Sequence, residues 1–407
     1  MQPEFDLLII GGGMVGASLA HAVSGLGLRI GVVEAFAVEA QSQPSFDERV
    51  IALSWGSRVI LEAIGVWAAL EKEAEPIRHI HISDRGHFGF THLDHRQESV
   101  DALGYVATAN ALGKALQPSL ADLSDVEFIC PARLQRFTCN ADQAEVTLTV
   151  NGETRVVNAK LLVAADGGDS QVRTQLSIPL KELAYGQTAI IANLTVDPSH
   201  RGVAYERFTD SGPLAMLPMT EGRYSMVWTA RDDQVEGLMS LSEAAFLGRL
   251  QERFGYRLGR LQHIGQRSAY PLRLRRVTEQ VRSRVALIGN AAHTIHPVTG
   301  QGFNLGLRDV AVLADVLGDA AAARQDPGDL VTLKRYADWR SRDQQAVALM
   351  TDGLARLFAN PLGPLRLARN LGLVGLDGLP SLKHLVARQF MGINGRLPRL
   401  SRGVPLA

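Results

Sequence analysis

The chain has 407 residues, 46% hydrophobic and 21% charged, an ordinary globular balance in a length typical of two interleaved domains. Basic and acidic residues number 42 each, so the formal net charge is zero, which argues against a protein that gains affinity by neutralising nucleic-acid phosphates. Two cysteines, Cys130 and Cys139, make neither a disulfide framework nor a zinc motif, and no run of about eighteen apolar residues is present to span a membrane. A reducing, cytoplasmic setting is expected.

Phe5 to Ile10 reads as a buried strand: short, apolar and stopped by glycine. Its apolar run, Leu7 to Ile10, follows Glu4 and Asp6 and is too short for a signal-peptide core. Met14 to Gly25 reads as a helix with small residues on its packing faces, and Leu28 to Glu34 as a second strand. Together they form a β-α-β unit, which implies parallel strands and a right-handed crossover. Ile77 to Asp84 alternates as a half-exposed strand. Val146 to Val150 and Arg155 to Val157 suggest a hairpin around Asn151-Gly152, and Lys160 to Ala165 suggests another buried strand. The β patterns at Thr188 to Val196, Leu214 to Met219 and Tyr224 to Thr229 lie outside the nucleotide-binding unit and are assigned to a second, mostly antiparallel domain. Val285 to Gly289 returns to the parallel sheet, and the chain after about Gly306 reads helical.

Three motifs carry chemistry. The first is Gly11-Gly12-Gly13-Met14-Val15-Gly16, between a strand and a helix, with Glu34 at the end of the next strand. Gly11 permits the tight turn, Gly13 lets the backbone approach a pyrophosphate, and Gly16 lets the helix pack on the strand. The amides of Met14 and its neighbours open the helix towards the phosphate charge, and Glu34 stands where a carboxylate accepts from an adenosine ribose. This motif alone does not separate FAD from NAD. The second is Asp166-Gly167-Gly168-Asp169-Ser170 with Arg173. On local chemistry it reads as an Asp-Gly turn followed by a helix cap at Ser170. The third runs Gly289-Asn290-Ala291-Ala292-His293 and on to Pro297, Gly300, Gln301, Gly302, Phe303 and Asn304.

Together these motifs resemble those of the FAD-dependent aromatic hydroxylases of ubiquinone biosynthesis, with the likeness running from Phe5 to about Asn370. The second is similar to the family's Asp-Gly-x-x-Ser-x-x-Arg motif, whose Asp lies near the FAD pyrophosphate. The third is similar to its Gly-Asp-Ala-Ala-His…Pro…Gly-Gln-Gly-x-Asn signature, in which a strand end meets the ribityl chain and a helix N-terminus approaches the flavin pyrimidine. Asn290 stands where most of the family has Asp. It keeps a carbonyl acceptor but loses a charge-assisted bond. The polyprenyl-methoxyphenol hydroxylase branch carries such an Asn. Segments His81 to His87 and Glu206 to Met219 resemble that branch as well. Phe46 to Leu53 resembles the segment whose Arg, here Arg49, reaches FAD; a surface helix with a solvated Arg is the alternative.

The resemblance implies an α/β fold: a Rossmann-like FAD-binding domain (1–75, 103–180 and 270–350) interleaved with an antiparallel substrate domain (76–102 and 181–269), then a helical region, 351–407. It implies hydroxylation of a polyprenyl-methoxyphenol through a flavin C4a-hydroperoxide, with dioxygen as co-substrate and electrons from NAD(P)H or a partner reductase. No second GxGxxG provides a separate NAD(P)H domain. The strand Leu214 to Met219 is the expected roof over the flavin; for Trp228 and Tyr185, core packing is weighed against lining that cavity. No residue identifies itself as a catalytic base. His79, His81, His87, His92 and His95 are read as solvated or locally bonded, not as a metal cage. A hydroxylase of a small soluble phenol, a halogenase or prenyl reductase, and a non-catalytic FAD scaffold of a quinone-synthesis assembly are the competing readings. The tryptophans, at 55, 67, 228 and 339, do not match the halogenase Trp-x-Trp spacing. Other quinone-biosynthesis proteins are expected partners.

Residues 353–407 hold eight lysines and arginines (Arg356, Arg366, Arg369, Lys383, Arg388, Arg396, Arg399 and Arg402) against Asp377 alone, interleaved with leucines from Leu354 to Leu373. Two readings stand: a basic, apolar face that meets an anionic membrane surface, or a stripe that packs on the core with solvated arginines.

Overall fold

The computed structural model describes residues 3–36, 49–197, 201–295, 300–359 and 362–407. Phe46, Asp47, Glu48 and Pro297, and the side chain of Arg356, lie outside the described residues.

The first sheet is built on the strand Phe5–Ile10. It pairs in parallel with Ile30–Val33 on one side and with Glu153–Ala164 on the other, and Val285–Leu287 and Val126–Ile129 extend the parallel set. Both faces are covered. Leu7 and Ile9 pack towards the helices Met14–Val23 and Gln301–Ala322, whereas Leu8 and Ile10 pack beneath a cluster holding Ile129, Val146 and Val172. Burial on both faces is why this stretch is a continuous apolar run and not an alternating one.

The expected hairpin and the strand after it form one ladder. Glu153–Ala164 is a single twelve-residue strand. Its first half pairs antiparallel with Ala144–Val150, and its second half, from Ala159, pairs parallel with Phe5–Ile10. The turn is Asn151-Gly152, with φ of 51° and 88°. Side chains along the first half are largely exposed and along the last four residues fully buried, so the break in pattern marks entry into the parallel sheet.

Among the described residues the second sheet has nine strands. Its central order is Ser268–Val277, Leu180–Asp197, Arg223–Arg231, Gly212–Pro218, Val203–Thr209, His79–Asp84 and Phe90–Asp94. All these neighbours are antiparallel except Val203–Thr209 with His79–Asp84. One face packs against the helix Glu243–Phe254. The other faces a cavity closed by the helices Leu330–Ala359, Gly363–Gly378 and Pro380–Phe390.

The C-terminal leucines divide between the two readings. Leu354, Phe358 and Leu373 pack inward with Phe208, whereas Leu365, Leu367, Leu371, Val374, Leu382 and Leu385 are exposed. Much of the basic excess is neutralised within the fold. Arg369 is buried on Asp84 at 2.9 Å, Lys383 pairs with Asp377 at 2.9 Å, and Arg399 pairs with Asp315 and Asp319. Arg396 stacks on Trp339, 3.8 Å from the ring centre. Arg366 and Arg402 remain on the surface.

Candidate active site

Gly11 has φ +103°, and a Cβ there would lie 2.5 Å from the Ala165 carbonyl oxygen. A Cβ on Gly16 would lie 1.8 Å from the Gly11 carbonyl, so the first helix starts directly on the strand end. Gly13 is the N-cap residue of Met14–Val23 and provides no side-chain acceptor. The first amides of that helix, Met14 included, therefore have no partner within it. Glu34 is buried, and both its oxygens are engaged: Gly12 N–H donates to Oε2 at 2.8 Å and Phe36 N–H to Oε1 at 2.9 Å. Before any ribose contact, Glu34 braces the glycine turn. Each oxygen keeps a lone pair for a further donor.

At the second motif the helix cap is present. Ser170 Oγ accepts from Arg173 N–H at 3.0 Å. The Arg173 guanidinium donates to the carbonyls of Gly168 (2.7 Å) and Ala291 (3.0 Å), which ties this turn to the third motif. Asp166 Oδ2 accepts from Val172 N–H, while buried Oδ1 has no partner among the described residues. Burial pushes this carboxyl above its ordinary range despite its local hydrogen bonds.

At the third motif, Gly289–Ala291 forms a 3₁₀ turn that leaves Asn290 exposed. Beneath it lies a residue that the sequence reading missed. Asp309 is fully buried; its Oδ2 accepts from Gly289 N–H (3.0 Å) and His293 Nε2 (2.6 Å), and its Oδ1 from Arg340 (2.7 Å) and Gln344 (3.0 Å). Burial alone would raise its carboxyl, but the charges and hydrogen bonds of His293 and Arg340 outweigh that and hold it well below the carboxylate range. An aspartate within a helix carries no sequence signal of such a role.

Gly300 precedes the helix Gln301–Ala322 with φ +63°, and its Cβ would meet Ala52 at 2.8 Å. Gly302 borders open space. Asn304 is saturated by the protein. Its oxygen accepts from Ser54 N–H (2.8 Å) and Ser57 Oγ (2.7 Å), and its amide donates to the carbonyls of Ala52 and Gly300. It positions the helix start against the strand Val50–Ser54. That strand follows Arg49, so Val50 to Leu53 are strand and not surface helix; the Arg49 guanidinium carbon lies 5.5 Å from the ring centre of Tyr270.

The Gly300 turn and the strand Val50–Ser54 border an apolar cavity of about 570 Å³. Ala52, Ser54, Gly300, Gln301 and Asn304 form one end. The second sheet contributes Ile191, Val227, Ala215, Leu217, Ile82 and Glu206, and the C-terminal helices contribute Leu354, Phe358, Leu373 and Phe390. The strand expected as a roof alternates: Ala215 and Leu217 face the cavity, and Leu214 and Met216 face the core. Trp228 packs beside Phe246 in that core; neither it nor Tyr185 lines the cavity. Glu206 is the one carboxylate among the described residues lining it.

Three of the histidines, His79, His81 and His92, border a second hollow, about 610 Å³, with Arg257, Asp377 and Lys383. His81 Nδ1 and His92 Nε2 share a hydrogen bond of 2.6 Å. Burial, then the Arg257 charge, pushes His81 down to about 4. No three His, Cys, Asp or Glu among the described residues are arranged to hold a metal.

The family described as FAD binding domain matches residues 4–349. The chain is 40% identical to ubiquinone hydroxylase UbiL of Rhodospirillum rubrum, over 98% of this chain and 93% of that one. It belongs to the FAD-dependent aromatic hydroxylases. This hydroxylase is also 32% identical to the 3-demethoxyubiquinol 3-hydroxylase of Escherichia coli, over 96% and 99% of the two chains. Its fold matches p-nitrophenol 4-monooxygenase PnpA of Pseudomonas putida with a TM-score of 0.78 at 19% identity, over 96% and 98% of the chains. FAD is the cofactor of the hydroxylase, and the residues present fit it: two helix starts without side-chain caps, an orphaned Asp166 oxygen between them in sequence, and open space beside Gly302.

Proposed function

We propose that this hydroxylase acts on the ring of a polyprenyl-methoxyphenol intermediate of ubiquinone biosynthesis. The observation that carries the reading is the cavity. It is apolar, begins at the helix start that would meet a flavin, and runs under C-terminal helices whose outer faces expose leucines. A small soluble phenol needs neither that length of apolar wall nor those leucines. The names of the relatives, hydroxylases of ubiquinone or of its precursor, support the same pathway.

Gly11, Gly13, Met14 and Gly16 would hold the FAD pyrophosphate, Glu34 the adenosine ribose, and Asp166 and Asn290 the chain between the nucleotide and the ring. Gly300 and Gly302, with Pro297 outside the described residues, would pass the helix amides to the flavin pyrimidine. Asn304 holds that helix in place. Arg49 would reach the cofactor from the edge of the strand Val50–Ser54. When bound, FAD supplies the oxygen-activating redox chemistry, with dioxygen as co-substrate and NAD(P)H or a partner reductase as electron source. The apolar walls exclude water that would divert it.

The exposed leucines of Gly363–Gly378 and Pro380–Phe390 would rest on the membrane surface in which a prenylated substrate resides. With Arg369, Lys383 and Arg399 paired internally, the attraction would be chiefly apolar. Lipid extraction from a strain lacking this protein tests the function. A prenylated, under-hydroxylated ring precursor is expected to accumulate and to disappear on complementation; an unaltered quinone pool would refute the assignment.

A further inference from the structure

Glu206 occupies an unusual place in the cavity wall. One rung of the second sheet crosses it: Ile82 pairs with Glu206, Glu206 with Ala215, Ala215 with Val227, and Val227 with Ile191. All five line the cavity, and four are apolar. The Glu206 residue is only 9% exposed, and its carboxyl has no hydrogen bond or ion pair among the described residues. A buried acid with nothing to satisfy it lowers stability, and an alanine or leucine would complete the rung at no such cost. Of the other polar groups near the helix start, Asn304 and Ser54 bond to each other's segments, and Gln301 Nε2 donates to the Phe390 carbonyl while its buried Oε1, an amide oxygen and no base, has no partner among the described residues.

We propose that Glu206 is the proton acceptor for the phenolic hydroxyl of the substrate, holding and ionising the ring in the cavity. This rests on the phenol-hydroxylase reading above. The phenol O–H bond breaks, an O–H bond forms on the Glu206 carboxylate, and the electron pair stays on the phenolic oxygen. That charge raises electron density on the ring carbon to be oxygenated. As the oxygenated ring carbon gives up its hydrogen as a proton, which passes to the oxygen that leaves as water, the Glu206 proton returns to the phenolic oxygen and the product ring regains aromaticity. The overall balance is that of a monooxygenase: one oxygen atom enters the ring as a hydroxyl, the other leaves as water, and the reductant and medium together supply two electrons and two protons.

The surroundings suit the transfer. Burial pushes the Glu206 carboxyl up to about 7, closer to the ordinary phenol value of about 10 than a solvated carboxyl at about 4.3. No charged group from the packed elements opposes this. The C-terminal helices present Leu354 and Phe358, and the helix start presents Gln301 and Asn304. Tyr205 packs with His81 and Phe254, and the nearby Asp84–Arg369 pair is closed on itself.

The test uses the oxidised holoenzyme with 4-nitrophenol, whose phenolate has its own visible absorption, and follows ionisation of the bound probe against pH by difference spectra. Wild type should ionise the bound phenol, and infrared difference spectra should show a protonated carboxyl appearing as the probe binds. Glu206→Gln removes the acceptor at constant shape. It should bind the neutral probe within about threefold of wild type yet leave it protonated, abolish the acid limb of the kcat profile near pH 7, and lower kcat on the order of 100-fold with KM little changed. Glu206→Asp should restore part of the ionisation. A Gln variant that ionises the probe as wild type does overturns the assignment. If that variant does not fold, a wild-type carboxyl that stays unprotonated when the probe binds overturns it equally. Ionised probe in wild type with no prenylated precursor in the deletion strain would retain the role of Glu206 and reject the prenylated substrate.

Discussion

The carboxylate of Asp309 lies 2.6 Å from Nε2 of His293, and the same Asp309 oxygen accepts the backbone N–H of Gly289, so one buried side chain fixes both ends of the turn that carries Asn290. An ionised carboxylate only accepts, so His293 is the donor. Asp309→Asn would leave Arg340 buried without its main anion, at a cost of about 3–5 kcal/mol. A large fall in Tm and weaker FAD retention are expected; a Tm within a degree of wild type would show that the network is dispensable.

The same aspartate sets a pH dependence. Its folded-state value is lowered from 3.8, so its contribution is fully present above that value and is lost as pH falls through the depressed one. Stability of the wild type should drop more steeply on acidification below about pH 4 than that of Asp309→Asn. Parallel acid-unfolding curves for the two proteins would contradict this.

Two glycines of the first turn should fail differently. Gly16→Ala places a methyl 1.8 Å from a backbone oxygen, so the helix must move off the strand, an overpacking cost of about 1–3 kcal/mol or more. Its readout is thermal unfolding of the apoprotein. Gly13→Val should chiefly block pyrophosphate approach and give colourless, folded protein. Yellow Gly13→Val protein at full occupancy would remove the pyrophosphate from this turn.

Asn290 is exposed on the turn that Asp309 holds. Asn290→Asp should tighten FAD by about 1 kcal/mol, roughly fivefold in Kd, through one charge-assisted bond. Fluorescence titration of apoprotein with FAD measures this. An unchanged or weaker Kd would give Asn290 another role.

Leu367 and Leu371 lie one turn apart, each 55% exposed. The double variant Leu367→Glu/Leu371→Glu should lose flotation with liposomes while its Tm changes little, since neither side chain is packed. Binding of wild type should depend only weakly on salt, because the region's lysine and several of its arginines are already paired. Equal flotation of variant and wild type would remove these helices from the membrane contact.

The sequence by itself determined what depends on short-range geometry. The run Phe5–Ile10, the glycines at 11, 13 and 16 and the Asn151-Gly152 turn each declare a backbone shape, because chain reversal and close approach leave few residue choices. The three flavin motifs were legible for the same reason. Tertiary structure alone decided what depends on contact across the chain. Asp309 gains its meaning from His293 and Arg340, and Glu206 from four apolar neighbours on separate strands. Arg369 and Arg399, counted in the sequence as charge available to lipid, are bound to Asp84 and Asp315 far away in the chain. Charge and polarity in a sequence are properties of single residues; whether they are paired, buried or left to meet a ligand is settled by which other segments fold against them.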